Sequence, residues 1–167
     1  LINNWQFVLN LSNDAKTGLK SQAITGNSLI RNGLTASQKY IVSYWAKNGI
    51  PVLSGSTSYN DAPNADGDGW RYYEKLVTGV TSVTLSGTGT TLVDEVRLSP
   101  LGAKISTYTY DEGVGLTSKT DENSRTTRFK YDEFLRLKNA IDSEGNLLKN
   151  IDYHFKNQPW KKIVPEL

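Results

Sequence analysis

The 167-residue chain has no cysteine, so disulfide staples and thiolate metal sites are unavailable and any core is held by burial alone. Its single histidine, His154, leaves zinc short of ligands and excludes triads built on a Cys–His pair. Charge of one sign is also missing. Against 17 Asp and Glu stand 19 Lys and Arg, a formal net charge of +2, which excludes the strongly basic character of a dedicated nucleic-acid binder. No apolar run approaches the roughly 20 residues of a membrane span. The chain shows neither an initiator methionine nor a signal peptide, and reads as a processed or excised piece of something longer. Gly-rich phosphate loops and metal-hydrolase motifs are absent.

Serine, threonine, asparagine and glycine are plentiful instead, with 9 Tyr, 4 Trp and 4 Phe spread among them. β-Branched and small polar residues form helices poorly and fit pleated, half-buried surfaces well, so the chain reads as all-β. Charge density separates two parts. Residues 1–100 carry 8 Lys/Arg and 7 Asp/Glu, and the remaining 67 residues carry 11 and 10. Ser99-Pro100-Leu101-Gly102 breaks regular pairing between them.

In residues 1–100, alternating runs recur between turn signals. Tyr40-Ile41-Val42-Ser43-Tyr44-Trp45-Ala46 is one, and residues 51–54, 70–77, 80–86 and 92–98 supply others. Short strands at this spacing predict one β-sandwich. In the last run the alternation puts Leu92, Asp94, Val96 and Leu98 on one side and Val93, Glu95 and Arg97 on the other. Asp94 is thereby expected to point inward, and Asp94 and Glu95 to face apart, unable to flank one scissile bond.

The second part repeats. Tyr110-Asp111 returns as Tyr131-Asp132, Leu116 as Leu137 and Asp121 as Asp142, each 21 residues on, and Phe129-Lys130-Tyr131 returns as Ile151-Asp152-Tyr153 after one inserted residue. A fixed period means one supersecondary unit used repeatedly, here a strand–turn–strand that must lean on a neighbour to bury its apolar face.

These residues carry a resemblance. Tyr110-Asp111, Gly115-Leu116-Thr117-Ser118-Lys119-Thr120-Asp121, Thr126-Thr127-Arg128-Phe129-Lys130-Tyr131-Asp132, Leu135-Arg136-Leu137, Asp142-Ser143-Glu144-Gly145-Asn146 and Tyr153-His154 are similar to the YD repeat of bacterial RHS proteins, over roughly residues 104–156. Leu135 and Ser124 stand where that pattern has glycine. The resemblance implies a scaffold strung into a long β-ribbon, with no catalysis in the repeat and with adjacent repeats as partners. Residues 14–21, 40–46, 69–73 and 93–98 follow one another as in jelly-roll modules of the carbohydrate-binding type. Together they imply an extracellular or cell-surface location. The expected organisation is a jelly-roll sandwich over 1–100, two YD-type hairpin repeats over 101–157 and a tail over 158–167.

Candidate sites follow from residue chemistry. Sugar C–H faces stack on aromatic rings, which marks Trp45, Trp70, Tyr72 and Tyr73 as a glycan platform, against the alternative that these rings are core. Asn64-Ala65-Asp66-Gly67-Asp68-Gly69 places oxygen ligands at alternate positions with glycine between, as in the first half of a Ca²⁺ loop, although Lys75 stands where the closing glutamate belongs. The plain alternative is a solvated turn. In jelly rolls similar to this one, a structural Ca²⁺ is held by an acid of the last strand with groups near the first turn, here Asp94 with the region of Asp14. Asp94 alternatively bonds the backbone or a tyrosine hydroxyl. Three functions stay open: a glycan-binding sandwich on a β-scaffold, a spacer or plug of a larger RHS shell with no ligand, and a glycan hydrolase.

Overall fold

The computed structural model describes residues 5–154, and the tail expected over 158–167 lies outside them. Fourteen strands and no helix form among the described residues. The longest early strand is β4 (Tyr40–Lys47), where Val42, Tyr44 and Ala46 alternate with Ile41, Ser43 and Trp45 and only the first set reaches the core. It sits between β7 (Arg71–Val77) and β9 (Leu92–Pro100) in a six-stranded antiparallel sheet. That sheet is completed by β1 (Leu11–Ser12) and β2 (Ser21–Ala23) beyond β9, and by β6 (Ser56–Ser58) beyond β7. Opposite it, β3 (Ser28–Asn32), β8 (Ser82–Ser86) and β5 (Val52–Leu53) form a three-stranded sheet. The chain alternates between the sheets from β2 to β5 and again from β7 to β9, in the strand order of a jelly roll.

Between the sheets lie Leu29, Val83 and Leu85 from the small one, and Val42, Tyr44, Tyr73, Val77, Val93 and Val96 from the large one. Tyr44 and Tyr73 are register partners whose rings stack at 5.3 Å between centroids. The alternation visible in the sequence therefore runs unbroken through β4, β7 and β8. In β9 it fails. Ser43 pairs with Arg97 and Trp45 with Asp94, so one residue of β4 faces two of β9, and Glu95 takes a left-handed φ of 51°. This β-bulge lets both Val93 and Val96 reach the core. Asp94 points away from the core, correcting the inward expectation, because the pairing slips after it.

Residues 107–150 form a third sheet, a five-stranded meander in sequence order: β10 (Thr107–Asp111), β11 (Gly115–Thr120), β12 (Thr126–Tyr131), β13 (Leu137–Ile141) and β14 (Leu147–Asn150). Its last three reversals share one device. Asp121 Oδ1 accepts the N–H groups of Asn123 and Arg125, Asp132 Oδ1 those of Phe134 and Arg136, and Asp142 Oδ1 those of Glu144 and Asn146, each near 2.9 Å. Three residues after each aspartate the chain enters the left-handed region, at Ser124 (φ 61°), Leu135 (59°) and Gly145 (91°). The two non-glycines keep the same geometry under steric strain. The repeat matches in register too, since the ladder slips by one residue between Thr109 and Tyr110 and again between Lys130 and Tyr131.

The meander lies against the outer face of the six-stranded sheet. Arg97 donates to the Asp121 carbonyl (3.3 Å) and to Ser124 Oγ (2.5 Å), Ser124 donates to the Tyr72 hydroxyl (2.7 Å), and Arg128 donates to the Lys16 carbonyl (3.0 Å). Leu135 is more than half exposed and makes little use of its side chain. Leu135→Gly should therefore raise stability by about 1 kcal/mol, net of the entropy glycine adds to the unfolded chain, whereas Gly145→Ala should lower it by about the same. Urea midpoints of the two variants check this, and a loss in Leu135→Gly would contradict the strain.

Candidate functional site

The Asp66 loop is built like the ribbon turns. Asp66 Oδ1 accepts the N–H groups of Asp68 (3.0 Å) and Trp70 (2.9 Å), and Gly69 takes the left-handed position with φ 82°. Its other oxygen accepts a bond from the Lys16 ammonium. Lys16 is fully buried, with Nζ 4.3 Å from the Trp45 ring centroid. A tethered cation thus stands where the loop would hold a metal, paired with a carboxylate and a ring face. Burial pushes the Asp66 pKa up, but the bonds from Lys16 and the Trp70 and Asp68 amides bring it below the usual carboxylate value. Asn64 and Asp68 are exposed, and Asp14 pairs with Lys47 at 2.8 Å. The expected metal residues therefore do not converge: among the described residues no three His, Cys, Asp or Glu side chains are placed to hold an ion.

Asp94 does meet the first turn, through N–H donors. Oδ2 accepts the Lys16 and Thr17 amides, both at 2.9 Å, and Oδ1 accepts the Glu95 amide at 2.7 Å. The bulge puts Glu95 on the same side of the sheet as Asp94, against the expectation that the two face apart. Glu95 is nearly inaccessible and accepts the hydroxyls of Thr17 (2.7 Å) and Thr107 (2.5 Å). Each of these four carboxylate oxygens is engaged by the protein. Burial pushes Asp94 up to about 6, aided by the neighbouring Glu95 charge and opposed by the three amide bonds.

The glycan platform separates into core and covered surface. Trp70 and Tyr73 are buried, so neither offers a ring face to solvent. Trp45 and Tyr72 share the outer face of the sheet, tilted at 5.4 Å between centroids, with Lys16 against the first and Ser124 bonded to the second. Alternation along residues 70–76 puts Trp70 with Tyr72 and opposite Tyr73, and of these three only Tyr73 joins the cluster between the sheets. It had no means of showing that the outer side is roofed by the ribbon.

Beside Tyr72 the roof is incomplete. A cleft of about 160 Å³ opens between sheet and ribbon, floored by Ser43, Tyr72, Glu74 and Arg97 and walled by Tyr59 and Glu122. Glu74, Ser43 and Arg97 form one row across β7, β4 and β9. Among the described residues no side-chain partner holds the Glu74 carboxylate, and the buried Arg97 guanidinium bonds only a carbonyl and a hydroxyl, with Nε unpartnered. Sequence reasoning missed Tyr59, Glu74 and Arg97, since their meeting depends on the β9 bulge and on the linker after Pro100. No family model and no curated protein sequence matches this chain.

Two outcomes test this chemistry. Because the native Asp94 pKa of about 6 exceeds the ordinary value near 3.9, the folded state binds a proton that the unfolded state has lost, and stability falls as pH rises from about 4 to about 6. The two-unit difference is worth at most about 3 kcal/mol. Asp61 and Asp66 have lowered values, so their contribution is lost as pH drops below about 4, which sets a maximum near pH 4–5. Denaturation across that range should show the fall in the wild type and its absence in Asp94→Asn; an equal slope in both would refute the assignment. Lys16→Met should cost about 2–3 kcal/mol, below a fully buried pair because Asp66 is 26% exposed, and millimolar Ca²⁺ should leave the wild-type thermal midpoint unchanged.

Proposed function

We propose that this chain is a non-catalytic scaffold module of the YD-repeat kind, in which a jelly-roll sandwich is fastened to the opening strands of a β-ribbon. The observation that carries the reading is the repetition of one Asp turn and one register slip through successive ribbon strands. Such a ribbon grows by adding strands. All four residues of β14 are exposed, and among the described residues nothing pairs with its outer edge, where the next strand belongs. On this reading the module works at the cell surface within a longer β-scaffold, as the proteins it resembles do.

Glycan recognition is the second reading, favoured by the cleft, where Tyr72 and Tyr59 supply ring faces beside the unpaired Glu74 and the donors of Arg97. It predicts that a sugar panel changes Trp45 emission, since that ring lies 5.4 Å from Tyr72, and that Glu74→Gln abolishes the response. A spacer gives no response to any sugar.

The scaffold reading is tested by insertion. A second copy of residues 111–131, placed after Tyr131, adds two strands and restores direction and face. A copy of residues 111–120 alone adds one strand and reverses everything after it. The longer insertion should fold cooperatively with a stronger strand signal in far-ultraviolet circular dichroism, and the shorter should not. Equal tolerance, or failure of the longer one, would remove the scaffold reading.

A further inference from the structure

The ribbon carries a tyrosine lock that it uses twice and leaves open once. Tyr131 donates its hydroxyl to the Leu116 carbonyl at 2.7 Å, and Tyr153 donates to the Leu137 carbonyl at 3.0 Å. In both cases the acceptor lies on the neighbouring strand that comes earlier in the sheet, β11 for the first and β13 for the second. Tyr110 holds the equivalent place. It precedes an aspartate as Tyr131 does, and it pairs with Leu116 just past a register slip as Tyr131 pairs with Leu137. Yet β10 is the edge of its sheet, and among the described residues no strand lies on its outer side. Tyr110 is 69% exposed, and among the described residues its hydroxyl has no partner.

Alongside this edge runs a groove of about 440 Å³ between ribbon and sandwich. Thr107, Tyr108 and Tyr110 form one wall, and Trp5, Leu98 and Ile105 are among the residues of the other. Free backbone groups next to an apolar groove are what strand addition requires: main-chain bonds give affinity and pockets for alternate side chains give specificity. The kind of strand follows from the order of the ribbon. Strands bearing the tyrosine (β10, β12) alternate with strands that lack it (β11, β13), and the lock always takes a carbonyl from the tyrosine-free class.

We propose that the outer edge of β10 accepts, in trans and antiparallel, a tyrosine-free YD-type strand from another polypeptide, with Tyr110 closing on its carbonyl. This rests on the scaffold reading and extends it. The module then has a docking edge at the start of its ribbon, separate from the β14 edge along which its own chain is extended.

The test uses the full chain and a synthetic peptide of residues 132–141, which carries one Asp turn and the β13 strand. Saturable binding should appear by fluorescence anisotropy, with amide shifts in nuclear magnetic resonance concentrated on residues 107–111 and the groove. Tyr110→Phe should weaken binding about five-fold, the factor for one neutral hydrogen bond. A peptide with Lys138→Pro, which lacks the N–H on the edge that faces β14 in the intact ribbon, should bind more weakly still. Absence of binding at millimolar peptide, shifts confined to β14, or unchanged affinity in Tyr110→Phe would each overturn the proposal. Self-association of the chain through β10 without peptide would assign the edge to a second copy and overturn it as well. Each of these leaves the insertion test of the scaffold reading unaffected.

Discussion

An aspartate oxygen that accepts two backbone N–H groups, two and four residues ahead, is the interaction on which the architecture depends. It reverses the chain within five residues and leaves the strands on either side in register. The same bond pair closes the loop at Asp66 and the reversals at Asp121, Asp132 and Asp142. Each acceptor works best ionised. Asp142 is held below the usual carboxylate range by the Asn146 amide side chain and the turn N–H groups, and Asp132 by Arg136 and its turn amides in spite of partial desolvation. Because the turn is made by the aspartate, the residue at its left-handed position is free to depart from glycine at a modest cost, as Leu135 and Ser124 do.

The β9 bulge is the second constraint, and it decides how the two parts meet. A regular strand would send Glu95 into the sandwich core. The extra residue turns it outward beside Asp94, where Thr17 and Thr107 hydroxyls satisfy it and tie the first loop of the sandwich to the first strand of the ribbon. Two carboxylates side by side under a roof are tolerated because hydroxyls and amides meet every oxygen, with the remaining cost expressed in the raised Asp94 pKa.

These two devices also mark what was legible in the sequence. Parity assigned β4, β7 and β8 because nothing interrupts their period of two. It failed in β9, since a bulge has no signature in Leu92-Val93-Asp94-Glu95-Val96 beyond residues that suit either phase. The 21-residue repeat was visible as recurring Tyr-Asp and Asp positions, while the tyrosine lock is a contact between strands that spacing alone does not reveal. Asp66-Gly67-Asp68-Gly69 fits a metal loop and an Asp turn equally well. What separates them is Lys16, 50 residues earlier in the chain and brought there by the fold. Tyr73 belongs to a core that composition could only foretell in kind.

The polar character of the contact between sandwich and ribbon has a reason in the repeat itself. A ribbon whose units are nearly alike offers several equivalent faces, and an apolar interface would let the sandwich sit on any of them. Hydrogen bonds to particular side chains remove that degeneracy. Ser124 is the clearest instance. Its hydroxyl receives Arg97 and donates to Tyr72, but its counterpart 21 residues on is Gly145, which has no hydroxyl to offer. The strain of a serine at left-handed φ is thus offset by a bond that only the first repeat is able to make. The departure from glycine that weakens the turn is the same substitution that fixes which turn the sandwich grips.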